Sequence, residues 1–138
     1  MLANRSIPAV TVIPELAYAD VGEAVEWLCQ AFGFSLRLRI ANHRAQLKVG
    51  NGALVVRESH VTGPRPPSGC SVMVRVEDVD AHYARALQHG ARIVLLPADY
   101  PYGERQYSAQ DFAGHSWTFS QSIADVDPRD WGGVPGQL

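Results

Sequence analysis

Few side chains in this sequence are spaced for chemistry, and several candidates fall away on spacing alone. Cys29 and Cys70 are too few and too far apart for a disulfide framework or a zinc site, and no histidine lies near either in sequence to activate it. They read as reduced, mostly buried thiols. Lys48 is the only lysine among twelve basic residues, so Schiff-base chemistry has one candidate. It lies in a strand-like stretch, Arg44 to Val49, with no sign of a desolvating pocket. His82 and His89 are seven residues apart in a helical pattern, two turns along one face, where a shared metal needs a spacing of three or four. They read as solvated surface groups, as do His43 and His60 at strand or loop edges. His115, beside a turn glycine, is the histidine to watch. What remains is Glu15, the one carboxylate in an otherwise apolar strand-like run, together with arginines whose use depends on the elements that carry them.

Composition narrows the field. The chain has 138 residues, 46% hydrophobic and 19% charged, ordinary values for one globular domain. A formal net charge of −2 and a pI near 6.2 provide no basic field for a nucleic-acid backbone. No apolar run reaches the ~18 residues of a membrane span. The first residues, MLANRSIPAV, lack a charged start followed by an apolar stretch, so no secretory signal is read and a cytoplasmic location is expected.

The same grammar occurs twice. A strand-like run, Ala9 to Tyr18, is followed by Asp20 and a helical stretch that stops at Gly33; Asp20 with Glu23 makes a capping box. Val21, Ala24, Val25, Leu28 and Phe32 define one apolar face. Strands are expected over Phe34 to Ile40, Arg44 to Val49 and Ala53 to Glu58, with Asn51-Gly52 as a hairpin turn. Ser71 to Val76 then alternates as a strand, and Asp78 caps a helix with Val79, Tyr83, Ala86 and Leu87 as its buried stripe. Gly90 ends that helix, and strands follow over Ala91 to Leu95, Glu104 to Gln110 and Ser116 to Gln121, the last two turned by Ala113-Gly114. A Pro/Gly linker over residues 62–69 separates the halves. The chain therefore reads as a single α+β domain over 1–138. It has βαβββ modules at about 9–60 and 70–121 that share one mixed sheet, and a C-terminal tail over 122–138.

Alternation sorts the faces. Val12, Leu16, Tyr18, Val72, Val74, Val76, Trp117 and Phe119 are expected under the helices. Ile13, Glu15, Ala17, Ser71, Met73, Arg75, Ser116, Thr118 and Ser120 face the other way, a mixed lining that suits a cleft. Arg57 shares parity with Val55 and either adds a positive charge to that cleft or solubilises an edge strand. A bulge at Gly103 leaves the register of Arg105 and Tyr107 open; if Tyr107 faces the helices, Glu104 and Gln106 line the cleft. Trp27 reads as core packing or a dimer contact, and Trp131 as an anchor by which the tail packs across a dimer.

Two paired motifs, Tyr18-Ala19-Asp20-Val21 with Phe32-Gly33-Phe34, and Val76-Glu77-Asp78-Val79-Asp80 with Gly90-Ala91, resemble the glyoxalase/bleomycin-resistance/dioxygenase (vicinal oxygen chelate) superfamily. The segments Tyr102-Gly103-Glu104-Arg105 and Asp111-Phe112-Ala113-Gly114-His115 add to the resemblance, which runs from about Ala9 to Gln121. It implies paired βαβββ modules curled into a U-shaped mixed sheet around a ligand cleft, helices on the outer face, and homodimers whose clefts a second chain often completes. It also implies a divalent metal on four His, Gln or Glu side chains. The corresponding positions here are Ile13, Val55 or Val56, Ser71 and Thr118, none of them a plausible ligand for Zn, Ni, Fe or Mn. No metal and no other cofactor is therefore expected. In antibiotic-binding members an aromatic stacks on the drug, which puts Tyr102 forward as a ligand-facing ring, with packing on Tyr100 or Pro101 as the alternative. Arg105 lies in the same motif and serves either the ligand or a carboxylate that holds its strand.

The resulting expectation is a metal-free homodimer that binds a small aromatic or amphiphilic molecule, an antibiotic being the version the resemblance supports. Tyr102 would stack, Ile13 and Met73 would supply apolar contact, Ser71 and Thr118 would line the cleft, and Glu15, Arg75 and Arg105 would select charge. A lyase, isomerase or dioxygenase with an unusual metal set, or with Glu15 working as a lone acid or base, is the alternative. A plain interaction module follows only if side chains fill the cleft.

Overall fold

Asp20 and Asp78 set the two helices. Each takes an extended backbone, and its side chain accepts from the amide three residues on, Glu23 N and Ala81 N respectively, at 3.0 Å in both cases. The computed structural model describes residues 2–59 and 69–138. In chain order it contains β1 (Glu15–Tyr18), α1 (Val21–Phe32), β2 (Ser35–Ile40), β3 (Arg44–Val49), β4 (Gly52–Glu58), β5 (Val72–Arg75), α2 (Val79–Gln88), β6 (Arg92–Tyr100), β7 (Glu104–Gln110) and β8 (Ser116–Ser122). A single 3-10 turn, Pro128–Trp131, follows in the tail. Most of the linker expected at 62–69, and His60, lie outside the described residues.

The doubled βαβββ order is therefore present, but the strands form two four-stranded mixed sheets, β1-β4-β3-β2 and β5-β8-β7-β6, in place of one shared sheet. In each, the first strand runs parallel to the last and the others are antiparallel. What the modules share is a core. Val21, Ala24, Leu28, Ala31 and Phe32 of α1, Val79 and Ala86 of α2, and Leu47, Leu54, Val56, Tyr107, Trp117 and Phe119 of the strands form one buried cluster. Phe32 sits at its centre, its ring 4.8 Å from Phe119 and 5.3 Å from Trp117 in edge contacts. Trp27 also bridges the modules: its indole nitrogen donates to the His89 carbonyl at 2.9 Å.

Several local expectations shift. Val12 is 78% exposed, because β1 starts only at Glu15 and the preceding residues follow no sheet parity. The β3–β4 turn residues are Gly50 and Asn51, with Gly52 already paired to Val49; Gly50 adopts φ 58°, which a residue with a side chain seldom takes up at the first turn position. Leu87 is half exposed, off the α2 stripe. β6 runs to Tyr100 rather than stopping at Leu95, accommodating two register shifts, between Ile93 and Leu95 and between Leu95 and Ala98, as it passes Pro97. Cys70 is exposed rather than buried.

His82 is the largest departure from the surface reading. Its Nε2 faces the Phe32 carbonyl at 3.0 Å and its Nδ1 faces the Tyr107 hydroxyl, so the neutral ring with the proton on Nε2 satisfies both contacts and ties α1 to β7. Burial, with Arg85 adding to it, lowers the His82 pKa below the ordinary 6.5 despite the opposing Phe32 bond. A lowered folded-state pKa contributes stability that is complete above 6.5 and is lost as pH falls through the folded value. The urea midpoint should therefore drop between pH 7.5 and 5.5, and drop less in His82→Gln, whose amide can make both contacts at any pH. Equal drops in the two proteins would contradict this role.

Candidate functional site

β1 and β5 are the outermost first strands of their sheets, and residues of both line one cleft. It has a volume of about 830 Å³. Its apolar wall is Pro14, Leu16, Ala17, Val72 and Met73; its polar wall includes Glu15, Arg57, Ser71, Arg92, Gln110 and His115. A recess of about 260 Å³ continues along β5, bounded by Val72–Arg75 and the β3–β4 turn. Among the described residues no side chain fills the cleft, and its lining takes consecutive residues, 14–17 and 70–73, of two strand edges, which mixes apolar and polar groups.

Asp111 holds the β7–β8 turn, whose residues Gly114 and His115 line the cleft. This buried carboxylate accepts from the Tyr18 hydroxyl at 2.6 Å and the Trp117 indole at 3.1 Å through one oxygen, and from the Ala113 and His115 amides at 3.0 Å through the other. His115 donates from Nε2 to the Ala17 carbonyl at 2.8 Å, so the β7–β8 turn is pinned to β1 beside the cleft. The sequence signal was the Asp111-to-Gly114 turn, but nothing local revealed Tyr18 as its partner.

The expected site residues divide. Glu15, Ser71 and Met73 meet in the cleft, and Met73 and Arg75 border the recess. Glu15 is not a carboxylate buried among apolar groups: its side chain is half exposed and accepts from Arg44 at 2.8 Å, a partner on β3. Arg75 donates to the Ser122 hydroxyl at 3.2 Å. Arg57 stands on β4, an interior strand between β1 and β3, which removes the edge-strand reading and leaves its side chain at the cleft. Ile13 lies before β1, half-buried, and lines neither cavity. Thr118 pairs with Met73 in register and shares a 2.8 Å hydrogen bond with the Ser108 hydroxyl, outside both linings.

Tyr107 settles the register left open at Gly103. It is 1% exposed and faces the helices, where burial pushes its phenol up from 10. Arg105, two residues earlier, faces the same way and pairs with Asp80 of α2 and Asp99 of β6 at 3.0 Å each. Arg105 therefore holds its strand and is removed from the charge-selecting set. Glu104 and Gln106 take the opposite face as that register requires, but they line neither cavity: Ser120 donates to Glu104 at 2.7 Å and Gln106 donates to Ser120 at 3.2 Å. Tyr102 precedes β7 by two residues, at the opposite end of that strand from the cleft residue Gln110, and its hydroxyl donates to the Gln106 side chain at 3.4 Å. Its ring stacks on Tyr100 with centroids 5.5 Å apart and meets Trp131 edge-on at 5.6 Å. Trp131 thus docks on its own chain, and Tyr102 lines neither cavity.

The N-terminal segment covers part of the first sheet, a feature sequence reading missed. Gln46, 5% exposed, donates to the Ser6 carbonyl at 2.8 Å, and Arg37 donates to the Arg5 and Ile7 carbonyls at 3.0 and 3.2 Å.

The four positions at which the resemblance puts metal ligands do not fit a metal. Val55 lies on the Glu15 face and Val56 is in the core, and neither has a donor atom; Ile13 has none either. Ser71 and Thr118 offer only neutral hydroxyls. Among the described residues no group of three or more His, Cys, Asp or Glu could hold a metal ion. No helix of the described residues is long and apolar enough to cross a membrane.

Known structures share this architecture. TioX from Micromonospora sp. ML1 is 36% identical and superposes with a TM-score of 0.69, over 83% of this chain and 100% of that one. The fosfomycin resistance protein FosX from Listeria monocytogenes is 13% identical, with a TM-score of 0.67 over 83% of this chain and 94% of that one, a likeness of fold alone. Among curated sequences, an uncharacterised protein from Mycobacterium bovis is 35% identical over 57 residues; the match covers 41% of this chain and only 38% of that relative's length. The model of the Glyoxalase/Bleomycin resistance protein/Dioxygenase superfamily matches residues 8–119, and with its paired βαβββ modules the chain belongs to that superfamily.

Proposed function

We propose that this protein binds a small amphiphilic molecule in the β1–β5 cleft without a metal, and that binding itself, as in sequestration of an antibiotic, is its activity. The observation that carries the reading is the cleft, a cavity of about 830 Å³ with apolar and polar walls; of the four positions that the resemblance assigns to metal ligands, Ser71 alone is in its lining, and none of Ile13, Val55, Ser71 and Thr118 carries an imidazole or carboxylate. The antibiotic version is supported by membership of a superfamily whose description includes bleomycin resistance. The enzymatic alternative loses its one specific argument, since Glu15 is half exposed and engaged by Arg44.

A homodimer is part of the proposal. The outer edge strands β2 and β6 expose Leu36, Ile40, Val94, Leu95 and Leu96, more apolar surface than solvated edges carry, and a second copy would cover them. A reduced, cytoplasmic setting belongs to the same reading; no disulfide joins Cys29 and Cys70.

The test is a thermal-shift screen of antibiotics and aromatic metabolites on the protein, with Met73→Trp and Arg105→Ala alongside. Met73 is 62% exposed and borders both cavities, so a tryptophan there fills the cleft without touching the core. Hits should stabilise the wild type by several degrees, vanish in Met73→Trp and persist in Arg105→Ala, because Arg105 faces the helices. Hits that survive Met73→Trp would place binding elsewhere and refute the proposal.

A further inference from the structure

We propose that the molecule bound in the β1–β5 cleft carries an anionic head group, held by the guanidinium groups of Arg57 and Arg92. This deepens the binding proposal above and rests on it.

The register of the first sheet raises the point. β3 and β4 pair Arg44 directly with Arg57, two like charges facing each other across strands, an arrangement that destabilises a sheet unless something compensates it. Glu15 compensates one of them: its carboxylate is bonded to Arg44 at 2.8 Å. The Arg57 side chain makes no ion pair or hydrogen bond with any described residue, and the side chain of Arg92, on β6 in the same lining, has only a 3.5 Å contact to the Gln110 side chain.

The acid side of the balance is complete. All fourteen Asp and Glu residues lie among the described residues, residues 60–68 contain none, and Glu15 alone of the fourteen lines the cleft. Two arginines therefore face one cavity whose single carboxylate is already engaged, in a protein whose net charge is −2. The positive charge is local to the cleft. A concave site with low-dielectric walls concentrates such a field, and the planar guanidinium fork matches a carboxylate in a bidentate pair. The apolar wall of Leu16, Ala17, Val72 and Met73 takes the body of the molecule, and the Ser71 hydroxyl stands in the same lining as the arginines.

Isothermal titration with matched pairs tests this: benzoate, 2-naphthoate and anthracene-9-carboxylate, each against its neutral carboxamide, in low salt. The carboxylates should bind the wild type at least about tenfold more tightly than the amides, a margin expected of a charge-assisted pair. Arg57→Gln and Arg92→Gln should each reduce that preference, and the double variant should abolish it, with amide affinity within twofold throughout. Salt at 0.5 M should shrink the preference in the wild type. Equal binding of acid and amide, lost in Met73→Trp, would overturn charge selection while leaving the cleft as the binding site. A preference that survives in the double variant would equally overturn it. Failure of every compound to bind, or binding indifferent to Met73→Trp, would refute the cleft reading and this inference together.

Discussion

Asp111→Ala is expected to lower the unfolding free energy by roughly 3–5 kcal/mol, since each buried donor left without its acceptor costs about 1–3 kcal/mol. The carboxylate serves four donors, two of them side chains in the core: the Tyr18 hydroxyl of the first module and the Trp117 indole of the second. Tyr18 and Trp117 are 1% and 0% exposed, so water cannot replace the missing oxygen without opening the core. Asp111→Asn should cost about half as much, because one oxygen remains while an NH2 is turned toward groups that also donate. The urea midpoint, with the slope unchanged, is the readout. The same variants should weaken ligand binding, because Ala17, Gly114 and His115 flank this network and line the cleft. A loss for Asp111→Ala below about 1 kcal/mol would mean that the network is not a stabilising joint between the modules.

Gly103→Ala should cost roughly 2–4 kcal/mol, combining the penalty for a side chain at positive φ with the loss of two backbone hydrogen bonds of about 1 kcal/mol each. Gly103 has φ 81°, and a Cβ there would come within 2.3 Å of the Ala124 carbonyl oxygen, a clash with backbone rather than with a flexible side-chain end. Its own carbonyl accepts from the Ile123 and Ala124 amides at 2.8 and 3.2 Å, which is how the tail leaves β8. Moving that segment should pull Trp131 from Tyr102, exposing residues 123–138 to protease and shifting tryptophan emission to the red. Retention of the wild-type cleavage pattern and emission would contradict this account of the tail.

How much was legible follows from which physical signals are local. Both helices were readable because an Asp cap and a left-handed glycine are properties of a few consecutive residues. The inward rows Val72, Val74 and Val76, and Trp117 and Phe119, followed from period-two alternation, but the cleft did not: residues of both parities, Glu15 with Leu16 and Val72 with Met73, line it where two strand edges meet. The expected β1 failed before Glu15, since alternation in Ala9–Pro14 reflects composition without a partner strand. Arg105 was ambiguous for a related reason: parity on β7 is set by the phase at which the chain emerges from Gly103, and one residue of phase exchanges the faces. Tyr102, two residues from β7, inherits that uncertainty and in the fold packs on Tyr100. The roles of Asp111 and His82 depend on contacts 93 and 50 residues away, which no window of sequence contains.

Metal-free binding in the cleft is tested by the affinity of one Met73→Trp-sensitive hit for chelator-stripped protein and for protein saturated with Zn, Ni, Mn or Fe(II). Because Ile13, Val55, Ser71 and Thr118 supply no ligand set, the dissociation constants should agree within twofold and stripped protein should take up no stoichiometric metal. Binding tightened more than tenfold by one equivalent of a divalent metal would contradict the account.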